Sequence, residues 1–115
     1  MFVESVKMKI DVSSKHNVQA KKYDYVKIAF ILNNVEGYIS ANQINYYFNQ
    51  IFSQTYCNTQ RIAQIIRSNP NLFLKSKKRN TNTDSLTYSF NGIIILNKTT
   101  QTNWDNKTKL FFRTP

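Results

Sequence analysis

The side chains best suited to chemistry in this 115-residue chain lie in residues 58–68, Asn-Thr-Gln-Arg-Ile-Ala-Gln-Ile-Ile-Arg-Ser. On a helix, the apolar residues of this stretch share one arc and the polar residues share the opposite arc. The polar arc carries no acid and consists of Gln60, Arg61, Gln64, Arg67 and Ser68. Arg side chains bind phosphates and fork onto guanine, and Gln binds adenine in the major groove of DNA. The pattern predicts a helix that binds nucleic acid, although an ordinary amphipathic helix with a solvated outer face has the same pattern.

The distribution of charge favours the first interpretation. The formal net charge is +10, from 16 Lys and Arg against 6 acids, and a small basic domain suggests a polyanionic partner such as DNA, RNA or an anionic membrane surface. Residues 37–83 contain no acid and six bases, which are Arg61, Arg67, Lys75, Lys77, Lys78 and Arg79. A solvated basic face would normally be mixed with acids. The positive charge is therefore concentrated around the helix that we expect to bind nucleic acid.

Composition sets the broad class of protein. The length predicts a single domain, residues 1–115, and 41% hydrophobic with 14% aromatic residues suffices for a folded core. No run of 18 apolar residues is present, so we expect no membrane span. A single cysteine, Cys57, fits a reducing compartment, and we expect a cytoplasmic location, with the nucleoid or in the cytoplasm of a host cell. Abundant Asn, Lys, Ile and Tyr are typical of an AT-rich genome and suit a low-GC microbe, or a virus or plasmid that lives in one.

Catalytic machinery has little support in the composition. The chain contains one histidine, His16, one cysteine and few carboxylates, which leaves little room for acid–base, nucleophilic or metal-assisted chemistry. No glycine-rich phosphate-binding loop is present. The sequence predicts a protein that is not an enzyme and that needs no metal and no cofactor.

The remaining elements follow from periodicity and turn signals. Alternation of apolar and polar residues predicts strands, and apolar stripes at helical spacing predict helices, the second of which Ser40 can cap. Asn91-Gly92 is a hairpin signal that would lead into a third strand of the same sheet. Trp104 stands in a polar segment, and we expect it to pack against the terminal strands. The predicted helices are 21–34, 41–53 and 58–68, and the predicted strands are 2–12, 72–78, 86–90, 93–96 and 108–112.

This order of elements resembles the winged helix-turn-helix DNA-binding family over about residues 21–91. The resemblance is carried by Gly37-Tyr38-Ile39-Ser40, by the stripe Ile44, Tyr47, Phe48 and Ile51, by Arg61-Ile62-Ala63-Gln64-Ile65-Ile66, and by the hairpin 75–90. It implies an α+β fold, with a three-helix helix-turn-helix core and a basic β-hairpin wing. The N-terminal strand 2–12 and the C-terminal extension 92–115 would add short strands at both termini. The second helix and its turn are longer than is typical of the family.

The resemblance also implies a DNA-binding site. The third helix would lie in the major groove and the wing would contact the phosphate backbone beside it. By position, the helix residues of this site are Asn58, Thr59, Gln60, Arg61, Gln64, Arg67 and Ser68, and the wing residues are Lys75, Lys77, Lys78 and Arg79.

Three functions are compatible with these observations. The first is a double-stranded DNA-binding transcriptional regulator, which could form a homodimer through its terminal strands and read a two-fold operator. The second is a nonspecific or replication-related nucleic-acid binder, including an RNA binder. The third is a protein-interaction winged helix whose basic wing meets an acidic partner.

Overall fold

The computed structural model describes residues 8–15, 17–54, 57–76 and 86–112, with side chains as far as residue 109. Over these ranges the chain is an α+β fold with four α-helices and two small sheets. The elements are β1 (Met8–Asp11), α1 (Asp24–Asn33), β2 (Ile39–Ser40), α2 (Ala41–Phe52), α3 (Thr59–Ser68), β3 (Phe73–Lys75), β4 (Thr87–Phe90), β5 (Gly92–Ile95) and α4 (Lys98–Phe112). A short 3-10 turn, Lys21–Tyr23, precedes α1.

Local capping explains where α2 and α3 begin. The Ser40 hydroxyl accepts a hydrogen bond from the Gln43 backbone N–H (3.3 Å), and the Gln43 side chain accepts one from the Ser40 N–H (3.1 Å), which is a capping box. The Asn58 side chain accepts a hydrogen bond from the Arg61 backbone N–H at 2.8 Å. The predicted helices 41–53 and 58–68 are confirmed to within one residue. The predicted helix 21–34 is divided into the 3-10 turn and α1.

Helix α1 lies at the centre of the core. Its side chains from Val26 to Leu32 are all buried, and α1 contacts α2, α3, β4 and β5. Helix α2 contributes Ile44, Phe48 and Ile51 to the same core, and α3 contributes Ile62 and Ile66. The outward direction of α3 is therefore fixed by the packing of its apolar side on α1 and α2.

The larger sheet is antiparallel, with strand order β2-β4-β3. Ile39 pairs with Tyr88, and Phe73 pairs with Phe90. Ser76 N–H donates to the Thr87 carbonyl at 2.9 Å, so the β3–β4 pairing extends one residue beyond Lys75. The strands predicted at 72–78 and 86–90 are confirmed in shorter form. Three predicted wing residues, Lys77, Lys78 and Arg79, lie outside the described residues.

The hairpin predicted at Asn91-Gly92 is wrong. Strand β5 leaves the sheet of β4 and pairs in parallel with β1, from Met8 opposite Gly92 to Asp11 opposite Ile95. Glycine is needed at position 92 because an added Cβ would collide with the Met8 carbonyl oxygen and lie 2.7 Å from the Phe90 ring. The predicted strand 2–12 is described only as β1, since residues 1–7 lie outside the described part of the chain.

The strand predicted over 108–112 is also wrong, because α4 covers these residues. The Asn97 side chain accepts a hydrogen bond from the Thr100 N–H at 2.8 Å and caps the helix. Trp104 is fully buried, in edge-to-face contact with Phe30 (5.2 Å between ring centroids) and Phe52 (4.9 Å). It therefore packs on α1 and α2 rather than on terminal strands, and the C-terminal strand invoked for a homodimer is absent. None of the described helices is long and apolar enough to span a membrane.

Candidate nucleic-acid interface

Helix α3 presents a polar outer face. Ile62 and Ile66 are buried beneath it, whereas Gln60, Gln64 and Arg67 are exposed. Ser68 is also exposed and ends the helix, because the next residue, Asn69, leaves helical geometry before Pro70. This face offers two amides, a guanidinium and a hydroxyl to solvent.

The N-terminus of α3 is tied to α2. Thr59 Oγ1 donates a hydrogen bond to Asn42 Oδ1 at 3.2 Å, and Asn58 caps the first turn. Backbone N–H groups at a helix N-terminus attract anions through their own partial charge and through the helix dipole. Asn58 and Thr59 are thus close to the one end of α3 where a phosphate would be favoured.

Arg61 differs from the other predicted site residues. Its Nη2 donates to Asp24 Oδ2 at 2.9 Å, and the side chain is 36% exposed while that of Asp24 is 2% exposed. The guanidinium is therefore directed along the surface toward α1 rather than straight outward. Of the seven helix residues predicted for the site, six are exposed and only Arg61 is held by a buried acid.

The carboxylate of Asp24 also pairs with a buried lysine, Lys27. Lys27 Nζ donates to Asp24 Oδ1 (3.1 Å), to the Gln19 carbonyl (2.7 Å) and to Gln54 Oε1 (3.1 Å), which satisfies the three donors of an ammonium group. Burial lowers the pKa of Lys27, and the hydrogen bond that Lys27 donates to Asp24 opposes this shift. Because Gln54 lies in the α2–α3 connection, the cluster joins this connection to α1 and, through Arg61, to α3.

Cys57 lies beside this cluster in the same connection and is buried. Burial raises the pKa of its thiol from the ordinary 9.0 to about 11, and the negative charge of Asp24 adds to the shift. The thiol is therefore protonated at neutral pH, in which form it is a weak nucleophile.

On the predicted wing, Lys75 is exposed on β3 opposite Tyr88.

Two further cations lie near α3 that the sequence analysis did not single out. They are Lys21 and Lys22, which are exposed in the 3-10 turn. They border the same cleft as Gln64 and Ser68 of α3. In the sequence these lysines look like the solvated start of an amphipathic helix, and no local signal places them beside α3.

Within the described ranges, no group of three His, Cys, Asp or Glu side chains could hold a metal ion.

No family model, curated protein or solved structure matches the chain.

Proposed function

We propose that the protein is a winged helix that binds double-stranded DNA as a transcriptional regulator, with α3 in the major groove and the hairpin 75–90 on the phosphate backbone. The observation that carries this proposal is the outer face of α3. It presents Gln60, Gln64 and Arg67 on a helix without any acid, and this helix packs on the core through Ile62 and Ile66.

The order of elements supports the winged-helix arrangement. Helices α1, α2 and α3 pack on one another, and the short strand β2 between α1 and α2 pairs with the returning strand β4. Strands β3 and β4 then form the stem of a hairpin directly after α3. A hairpin in this position would approach the backbone beside the groove that α3 occupies.

The side chains receive distinct roles. Gln64, in the middle of the outer face, suits a bidentate contact with adenine, and Arg67 suits guanine or a phosphate. Asn58 and Thr59 at the N-terminus of α3 suit a backbone phosphate. Arg61 is not assigned to base reading, because its guanidinium is engaged by Asp24.

A nonspecific nucleic-acid binder is the second candidate, and the Arg61–Asp24 pair favours it. Arg is the side chain that most often specifies guanine, and this pair takes one of the two arginines of α3 out of the outward set. A protein with fewer side chains directed at the base edges would depend more on contacts with phosphates, which carry no sequence information.

The test begins with fluorescence anisotropy of labelled random duplex DNA at several salt concentrations, with single-stranded DNA and duplex RNA as competitors. Binding that weakens steeply with salt and is competed best by duplex DNA supports the proposal. A preferred site would then be selected from a random duplex pool. The absence of duplex binding at low salt contradicts the proposal, and better competition by RNA or single strands favours the second candidate.

Recognition of DNA bases by α3 is tested with the double variant Gln64→Ala and Arg67→Ala. We expect about a tenfold or larger loss of affinity for the selected site, because each bidentate base contact is worth about 1–3 kcal/mol, with weak general binding retained. The matched control is Asn103→Ala combined with Lys109→Ala, which removes one amide and one cation from exposed positions of α4. If both variants keep the same preference as the wild type, α3 is not the reader.

A further inference from the structure

A cleft separates the 3-10 turn from α3. Its volume is ≈ 270 Å³, and its walls include Lys21 and Lys22 on one side and Arg61, Gln64 and Ser68 on the other. Gln64 and Ser68 also belong to the exposed face of α3. The cleft is therefore continuous with the proposed DNA-reading face, on the side of the helix that adjoins α1.

The cleft is electropositive. Three cations, Lys21, Lys22 and Arg61, are set against Asp24, the one acid among the described residues that line it. Asp24 is itself 2% exposed, and its two oxygens already accept from Lys27 and Arg61. Its charge is thus compensated within the protein, and the charge at the cleft surface is that of the lysines and the guanidinium.

Arg61 is held in place for an additional contact. A guanidinium presents its N–H donors in a fixed planar fork, and Nη2 of Arg61 donates to Asp24 Oδ2 at 2.9 Å. The side chain remains 36% exposed beside the cleft. A guanidinium that is already ion-paired with a buried acid has lost part of its conformational freedom, so binding an oxyanion would cost less ordering entropy.

We propose that this cleft is a second contact site for the DNA backbone, in which a phosphate binds to Lys21, Lys22 and the anchored Arg61. The inference rests on the proposed function, because continuity with Gln64 and Ser68 makes a phosphate of the duplex read by α3 the oxyanion that would reach the cleft. Arg61 then contributes to affinity and to the placement of α3, while the amides of α3 contribute to sequence preference.

The test uses the full chain with Lys21→Gln and Lys22→Gln combined. Both side chains are exposed, so the fold should survive, which circular dichroism would check. Each phosphate contact contributes about 0.9 to the slope of log affinity against log salt. Because the proposal places one phosphate in the cleft, we expect the slope for random duplex DNA to become shallower by up to about 1 unit.

The matched control is Lys98→Gln combined with Lys109→Gln, two exposed lysines of α4. It removes the same net charge, so the two variants differ in where the charge is lost and not in how much is lost. We expect its slope to stay close to that of the wild type. Equal slopes for the cleft variant, the control and the wild type would overturn the proposal.

The contact is then located with duplexes of the selected site that carry a neutral methylphosphonate at one position at a time. At the position that meets the cleft, neutralisation should weaken the wild type severalfold and leave the cleft variant almost unaffected. No such position anywhere in the site would overturn the cleft proposal while the proposed function stands. A wild type that does not bind duplex DNA would overturn both.

Discussion

Asp24 connects α3 to the interior of the protein through an ion pair with Arg61. Its carboxylate lies inside the protein, with Lys27 on one oxygen and Arg61 on the other. A buried ion pair does not by itself indicate high stability, because desolvating the charges costs about as much as their attraction returns. Removing one partner is different, since it leaves an uncompensated charge or unpaired acceptors in the interior.

We expect Lys27→Met to lower the free energy of unfolding by about 3 kcal/mol, the lower end of the range for breaking a buried pair, because Arg61 still compensates Asp24. The substitution keeps an unbranched side chain, one heavy atom shorter, but leaves the Gln19 carbonyl and Gln54 Oε1 without their ammonium donor. Urea unfolding followed by circular dichroism measures the change. Lys98→Met, at an exposed position, should stay within about 0.5 kcal/mol of the wild type.

A double-mutant cycle with Asp24→Asn tests whether the pair acts as a unit. Asp24→Asn alone leaves the buried ammonium group of Lys27 without its carboxylate partner. The double variant, Asp24→Asn with Lys27→Met, removes both charges. The double variant should therefore be less destabilised than the sum of the two single variants, by about 1 kcal/mol or more. Simple additivity of the two losses would mean that the two charges do not stabilise each other.

The sequence could not have predicted this cluster. Asp24 and Lys27 fall on a helix that is buried on nearly every side, whereas charged residues are almost always expected at the surface. Arg61 was predicted to face outward because it lies on the polar arc of α3, and its acid partner is 37 positions away in the chain. Helical periodicity gives the face of a side chain but not the neighbour toward which a long, flexible arginine turns.

At the scale of elements, prediction succeeded where each signal was local. Helices α2 and α3 have strong apolar stripes and caps at Ser40 and Asn58, and both begin where these caps place them. Helix α4 lacks such a stripe, because the side chain one turn after the buried Trp104 on its inner face is a threonine, Thr108. The parallel pairing of β1 with β5 joins distant segments, and Gly92 serves a close approach to Met8 rather than a turn.

Substitutions at Asn58, the N-cap of α3, can change stability and the proposed DNA binding independently. We expect Asn58→Ala to lower the free energy of unfolding by about 1 kcal/mol, because the side chain no longer accepts from the Arg61 N–H. Asn58→Asp should retain this stability, since aspartate caps as well as asparagine and its charge suits the helix dipole. Its negative charge would repel a phosphate at the N-terminus of α3, so affinity for duplex DNA should fall severalfold.

Thermal unfolding and anisotropy measured on the same samples decide this prediction. Asn58→Asp is the informative variant, because it changes charge without removing the cap. An aspartate variant that is stable and binds DNA as tightly as the wild type would show that no phosphate approaches this end of α3. Stability equal to the wild type in Asn58→Ala would show that the cap contributes little.

At the scale of the whole molecule, the question is whether α4 belongs to the cooperative core or is an appendage. Helix α4 contacts α2, and the single tryptophan of the chain, Trp104, is fully buried between rings from α1 and α2. A residue buried between α1 and α2, the helices on which α3 packs, should report the unfolding of the entire domain. In the wild type, the urea transitions from tryptophan fluorescence and from circular dichroism should therefore coincide.

Trp104→Ala should lower the free energy of unfolding by about 3–5 kcal/mol, because it removes the largest fully buried side chain and leaves a cavity beside Phe30 and Phe52. Domains of this size are stable by only about 5–15 kcal/mol, so the variant should be marginal and should lose DNA binding on mild warming. Tyr46→Ala, at a position that is 57% exposed, is the aromatic control and should change stability by about 0.5 kcal/mol or less. If Trp104→Ala instead loses only the helical signal of α4 and keeps the main transition of the wild type, then α4 folds separately and the core of α1, α2 and α3 is stable without it.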